Sequence, residues 1–406
     1  MSGSAPGGTV VFPSWFEPLH GPPAWNPAER AWSVTRYADA ASVLKDPSVQ
    51  VVDARLEIER LSRRSGRDYA NLATLLGGHL FFRNPPFHRK ARSFLKESVV
   101  LLDLMSEQAI GAVVEPLVTE AARDGRIEAM TFLCNRIPVR VMANALGLTE
   151  TAVAGMFAAG QRTADATLRG VPLRTLDRLE DDAGQVIAAM LEAFATARRG
   201  GDSGLARMAA LNERSYGFAD RELASVAFFL ILAGIETTSS ALGSAIYFLS
   251  SDPHASRQVL GDPHRIRTCV DECLRMAPPL RRAVARVASD GLAAGGVGFE
   301  PGALLICEFE QASYDPETYR EPGRFDPTRF ESSGTGPPIL SFGAGAHTCL
   351  GAALARLEVD VVIRTLFGQC RCTLVEECPD WDDHVLLRRL RALDLVVEHA
   401  QGAKAI

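Results

Sequence analysis

Residues 220–250 form the longest helical candidate in the chain, and they are apolar nearly all round rather than along one stripe. Asp220 and Glu222 sit where a helix dipole favours negative charge, and Asp252-Pro253 marks the stop. A helix without a polar face needs protein on every side, so it has to run through the middle of a large fold. The 406 residues, 47% of them apolar and 23% charged, supply such a fold and leave enough apolar material to bury a large cofactor. No run of ~18 uninterrupted apolar residues occurs, which argues against a membrane span. The first residues lack a basic stretch followed by an apolar core, so no secretion signal is expected and the predicted location is cytoplasmic. A net charge of −6 with no dense Lys/Arg run argues against nucleic acid as a partner.

Helical patterns dominate from His88 to about Leu260, whereas after Pro278 short β-prone runs alternate with Gly and Pro. Residues 370–398 read as strand pairs, and residues 52–80 as a long loop with partial helix. Elements do not alternate as βαβ units would, so the fold class is mainly α with a smaller β-rich region. The expected organisation is an irregular N-terminal segment, 1–30, and one domain over 31–406. Of the eight cysteines, Cys269 and Cys273 fall on a probable helix, and Cys370 and Cys372 in a probable strand. Neither pair has a C-x-x-C or histidine partner at zinc spacing, and reduced thiols are expected throughout.

The run Phe342-Gly-Ala-Gly-Ala-His-Thr-Cys-Leu-Gly351 carries the most specific chemistry. Glycines ahead of a cysteine let the backbone fold tightly against a flat ligand. A cysteine opening a helix meets amide donors and a positive dipole end, which stabilise a thiolate. A Gly-rich turn with an incidental cysteine is the plainer alternative. The second feature is Ala233-Gly-Ile-Glu-Thr-Thr238 in the middle of the apolar helix. Glycine beside a threonine able to bond back to the i−4 carbonyl invites a local distortion. An ionisable Glu236 inside an apolar helix is costly unless it serves a purpose, although a salt bridge there would also account for it.

Together these runs resemble the cysteine-loop and oxygen-activation signatures of the cytochrome P-450 family, with no departure at the specified positions. The resemblance implies the cytochrome P-450 fold, with haem b (iron protoporphyrin IX) buried between the long central helix and the cysteine-loop helix. It makes Cys349 the axial thiolate ligand of the iron. Phe342, Gly343, His347 and Gly351 then lie in the cofactor's cradle, with Ala233 and Gly234 on its other side. Glu236 and Thr237 become the catalytic pair that relays protons to dioxygen.

Further segments fit the same family. Glu272-Cys-Leu-Arg275 puts an acid and a base on one helix face, a spacing that by itself usually means a surface salt bridge. With Pro327-Thr-Arg329-Phe330 downstream, it resembles the family's Glu-x-x-Arg helix and meander, implying a buried structural network of Glu272, Arg275 and Arg329. Asn84-Pro-Pro-Phe-His88-Arg-Lys-Ala-Arg92 resembles the family's propionate-binding helix start, assigning His88 and Arg92 to haem. Asn84 and Phe87 depart from the usual residues there. Arg286, one residue later than the commonest spacing, and His347 complete the set.

By resemblance, substrate contacts fall in residues 50–82 and 156–185, at Phe229 and Ala233, in the segment Leu280, Arg281, Arg282 and Ala283, and in residues 386–393. Arg281 and Arg282 are unusual in a segment that is commonly apolar; they either face solvent or meet an anionic substrate group. Arg89 and Arg356 match positions flanking the cysteine face, where an acidic electron donor docks. The implied activity is a soluble, monomeric monooxygenase that hydroxylates or epoxidises a small organic molecule, a natural product, terpenoid, steroid or fatty acid. It would use dioxygen and electrons from a ferredoxin with its reductase. Oxidative coupling stays open as an alternative. A non-catalytic haem-thiolate sensor is disfavoured, since a sensor needs no proton relay.

Overall fold

The computed structural model describes residues 18–104, 106–167, 170–331, 337–377 and 379–400. They form two compact units: described residues within 18–49, 107–137 and 237–400, and those within 50–106 and 138–236. The helix Asp220–Ser251, like Arg136–Leu146, runs from one unit into the other, and its first turn carries Asp220 and Glu222 as expected. It stops where Asp252 leaves helical geometry, at φ −128° and ψ 87°, and spends its carboxylate on the amides of His254 and Ala255, so the cap of the next helix terminates this one. This helix has the length and apolarity of a membrane span, but 78% of its most apolar window is buried in protein.

In the first unit, Ala31–Val34 pairs in parallel with Leu304–Cys307, which pairs antiparallel with Arg286–Val287. Ala24–Asn26 adds an antiparallel strand with Trp25 opposite Trp32. The N-terminal segment expected to be irregular therefore contains a strand; its residues 1–17 lie outside the described residues. The edge-on packing of Trp25 on Trp32, centroids 5.9 Å apart, is the cross-strand contact that holds it. Val34, Leu44, Leu305, Cys307, Phe309 and Leu340 form the core under this sheet. A second sheet joins Cys370–Leu374 to Asp394–His399 and Arg126–Glu128, which bears out the C-terminal strand pair.

The second unit is helical. Residues 52–80, expected to be mostly loop, form the helices Ala54–Ser65 and Ala70–Gly77. Asp53 accepts from the Leu56 amide as a cap, and Gly66 ends the first helix in the left-handed region. At the start of the second helix Asp68 accepts from the Ala70 amide at 3.0 Å, and Glu180, from Leu173–Arg199, accepts from the amides of Asn71 and Leu72 at 2.9 and 2.8 Å. A cap supplied from ~109 residues away leaves no local sequence signal.

Candidate active site

Between Leu223 and Ser250 every residue of the long helix is buried except Ala233, Gly234, Glu236 and Thr237. The motif singled out in the sequence is thus a half-exposed window in an otherwise enclosed helix. The helix stays α-helical through it, so the expected distortion is not the source of the space. Small side chains are. A Cβ at Gly234 would stand 2.7 Å from Met142 Cε, so glycine admits that methionine. The Glu236 carboxylate accepts a hydrogen bond from the Gln161 side-chain amide in the helix Glu150–Thr163. Phe229, one turn earlier, is only 9% exposed and packs against His79 and Phe81.

The cysteine loop is two short 3₁₀ turns, Leu340–Phe342 and Gly345–His347. Gly343 and Gly345 take φ of 67° and 70°, and a Cβ at Gly345 would lie 2.1 Å from the Leu44 carbonyl oxygen. Only glycine fits there. The Cys349 amide donates to the Phe342 carbonyl at 2.8 Å, which closes the loop and leaves the cysteine exposed. Because that amide serves the loop, the helix begins at Ala352 with Gly351 as its cap, and Cys349 precedes the helix instead of opening it. His347 is partly exposed at the end of the second turn.

Two contacts hold this loop against the helix Pro263–Met276. Ser341 Oγ donates to the Leu274 carbonyl at 2.7 Å, and Arg356 lies 4.4 Å over the Phe342 ring while pairing with Asp271 at 2.6 Å. Arg356, expected at a docking face, is thereby committed to the loop's own architecture. Arg89 is exposed on Phe87–Leu101.

The acid–base pair on Pro263–Met276 is fully buried, not a surface bridge. Glu272 and Arg275 are each 0% exposed, and Glu272 accepts from Arg275 Nε at 2.7 Å and Arg329 Nε at 3.0 Å. Arg275 also donates to the carbonyls of Ser313 and Pro322 at 2.7 and 2.9 Å. Burial opposes its charge, but the bond and charge of Glu272 overcome this and hold the guanidinium firmly protonated.

Arg281 and Arg282 are neither solvent-facing nor vacant for an anionic ligand: Arg281 pairs with buried Glu310 at 2.8 Å and Arg282 with Glu29 at 3.0 Å. Glu310 also binds Arg388, which is 1% exposed. Sequence reasoning missed Glu310 and Arg388, because Arg388-Arg389-Leu-Arg391 reads as an ordinary solvated run. Of their neighbours, Ala283 is buried in the sheet core, while Leu280 is 37% exposed and bridges Leu387.

A family model for Cytochrome P450 matches residues 264–389, which include the buried triad, the cysteine loop and the helix after it. Cytochrome P450 144 of Mycobacterium tuberculosis is 30% identical over 307 residues, 72% of this chain and 66% of that protein. The 6-deoxyerythronolide B hydroxylase of Saccharopolyspora erythraea is 28% identical over 357 residues, covering 84% and 82%. The crystal structure of P450BioI in complex with an acyl carrier protein ligated to hexadec-9Z-enoic acid superposes with a TM-score of 0.78 at 26% identity, covering 91% and 92%.

The chain belongs to the cytochrome P-450 family. It has the cytochrome P-450 fold and is a cytochrome P-450 monooxygenase whose cofactor is haem held by a cysteine thiolate. An organic substrate, dioxygen and a redox partner come with that membership.

The residues present fit haem. The exposed thiol of Cys349 stands on a glycine-built loop with no side chain beyond Cα at 343 and 345. Arg286 is 6% exposed, and among the described residues no carboxylate pairs with it; its guanidinium donates to the Val284 carbonyl at 2.6 Å. Burial pulls its pKa down, so an anionic group such as a propionate would relieve a real cost. His88 and Arg92 stand one turn apart on Phe87–Leu101. Burial first, and the Arg92 charge second, push the His88 pKa down to about 4, which leaves a neutral imidazole able to donate to a propionate.

Proposed function

We propose that this cytochrome P-450 inserts one oxygen atom into a C–H or double bond of a small organic molecule, with Cys349 as the residue whose thiolate would hold the haem iron. The observation that carries the reading is the half-exposed window of Ala233, Gly234, Glu236 and Thr237 in a helix buried on both sides of it. Haem, when bound, supplies one-electron redox chemistry and dioxygen activation. Glu236, partly exposed and tethered by Gln161, takes protons from solvent and passes them along the window. The Thr237 hydroxyl holds a proton at Oγ1 and presents it where dioxygen is reduced. One oxygen atom enters the substrate and the other leaves as water, consuming two electrons and two protons.

Propionates are assigned to His88, Arg92, Arg286 and His347, and the buried triad keeps the cysteine loop's supporting helix in place. The relative named as a hydroxylase of 6-deoxyerythronolide B supports a natural-product substrate. Electrons are proposed to come from a ferredoxin docking at Arg89, which is exposed on Phe87–Leu101. Residues 31–406 are read as one functional domain, monomeric and cytoplasmic.

The test reconstitutes the protein with ferredoxin and reductase and follows isotopically labelled dioxygen into product. One labelled atom per product is expected, and the reduced carbon monoxide complex should show the long-wavelength Soret band of a thiolate ligand. Label entering from water instead, or loss of that band's dependence on Cys349, refutes the reading.

A further inference from the structure

Within the second unit, one buried polar side chain has no job in the chemistry above. His79 lies between the helix Ala70–Gly77 and the turn Leu80–Phe82, and is 1% exposed. Its backbone is spent: the amide donates to Leu76 and the carbonyl accepts from Phe82. Its ring lies among four phenylalanines, with centroid distances of 5.6 Å to Phe81, 6.4 Å to Phe82, 6.2 Å to Phe228 and 5.6 Å to Phe229. Its Nε2 is buried and, among the described residues, has no hydrogen-bond partner. A buried polar atom left unsatisfied forfeits its hydration without recompense, whereas a fifth phenylalanine would cost nothing of that kind.

The place of this atom indicates its use. Phe229 is one helical turn before Ala233, the first residue of the exposed window. Phe81 is only partly buried and rests against both His79 and Phe229, with centroids 5.3 Å from the latter. It is the one ring of the four that is partly exposed, and a rotation of that ring would open the imidazole to an occupant of the window. We infer that His79 is a specificity-determining residue whose Nε2 hydrogen-bonds a single hydroxyl on an otherwise apolar, ring-containing substrate. The inference rests on the monooxygenase reading of the window and names the substrate class it takes.

The chemistry selects a hydroxyl. A neutral imidazole carries one donor and one acceptor nitrogen, and a hydroxyl can serve Nε2 in either tautomer. Burial holds the ring's pKa down to about 3, so it offers no positive charge to an anion. The electron-rich faces of the surrounding rings disfavour an anion further. The substrate's recognised end is therefore neutral, in keeping with Arg281 and Arg282 being occupied by Glu310 and Glu29.

The test uses matched probes on the haem-loaded protein: naphthol against naphthalene, phenylphenol against biphenyl, and naphthoic acid as the anionic arm. Binding is read by calorimetry and by the Soret shift, for wild type, His79→Phe and His79→Gln. Wild type should bind the hydroxylated member of at least one pair roughly tenfold more tightly than its hydrocarbon, the worth of one buried hydrogen bond. Naphthoic acid should bind more weakly than naphthol. His79→Phe should bring the ratio near unity with hydrocarbon affinity kept within about twofold, and His79→Gln should retain part of the preference. No preference in wild type, a preference that survives in His79→Phe, or tighter binding of the acid each overturns the inference. An Nε2 served only by trapped water gives the first of these results. If His79→Phe folds poorly, the comparison of wild type with His79→Gln decides. The carbon monoxide spectrum of each variant reports separately on the haem-thiolate reading, and calorimetry reads selectivity whichever way that spectrum falls.

Discussion

Replacing Glu272 by alanine removes the one carboxylate that serves both Arg275 and Arg329. Arg275 is 0% exposed and cannot swing to water; it keeps its bonds to the Ser313 and Pro322 carbonyls but loses its counter-charge. Breaking a buried pair by deleting one partner costs about 3–5 kcal/mol, and the Asp326 amide loses an acceptor at 3.0 Å as well. Against a typical total stability of about 5–15 kcal/mol, this consumes a large share. Arg329→Met should cost less, about 1–2 kcal/mol, because Arg329 is 12% exposed and Glu272 keeps both bonds from Arg275. The measurement is urea unfolding followed at once by far-ultraviolet circular dichroism and by the Soret band. Both midpoints should fall for Glu272→Ala, since the same helix carries the Leu274 and Asp271 contacts to the cysteine loop. A Glu272→Ala protein within about 1 kcal/mol of wild type, or one less affected than Arg329→Met, would refute the reasoning.

Other outcomes follow from the same geometry. Cys349→Ser should lose the long-wavelength band of the reduced carbon monoxide complex, because a hydroxyl is a far poorer anionic donor than a thiol; a retained band would mean another ligand. Thr237→Ala should raise hydrogen peroxide release per reductant consumed, while Glu236→Gln should slow turnover with less leakage. Equal product yield per reductant in Thr237→Ala and wild type would reduce Thr237 to a packing residue. Gln161→Leu should move the pH profile of turnover without changing substrate affinity, as the Glu236 carboxylate loses its amide donor; an unmoved profile counts against the tether. Glu358, 2% exposed, has its pKa pushed up to about 8 by burial, against about 4.3 in an unfolded chain. Between these values the folded state binds more protons, so its contribution to stability is complete below about 4.3 and is lost as pH rises towards 8. Glu358→Gln should therefore flatten the fall in stability with pH over that window, seen in thermal melts, and an unchanged slope would contradict it.

What the sequence by itself determined about this protein lies where chemistry depends on residues adjacent in the chain. The run from Phe342 to Gly351 carries its glycines and its cysteine within one loop, so its backbone needs are visible in order. The long helix was legible because an apolar surface all round has one physical remedy, burial, and the motif at its centre became the window the structure shows. Glu272 and Arg275 share a helix face at a spacing that can be counted, although only the structure shows that both are fully buried.

Tertiary structure decided everything that depends on partners distant in sequence. Within residues 52–80, the start of Ala70–Gly77 is secured by Glu180 of a distant helix, which accepts from the amides of Asn71 and Leu72. Arg281 and Arg282 are spent on Glu310 and Glu29, and Arg356 on Asp271 and Phe342. Gln161 reaches Glu236 from another helix, and His79 acquires its ring of phenylalanines from the turn beside it and from the long helix. A local pattern records which groups a residue can bond, but a charge or an imidazole is satisfied or stranded by what folding brings within a few ångströms. That is set by packing across the whole unit, which leaves no spacing to read.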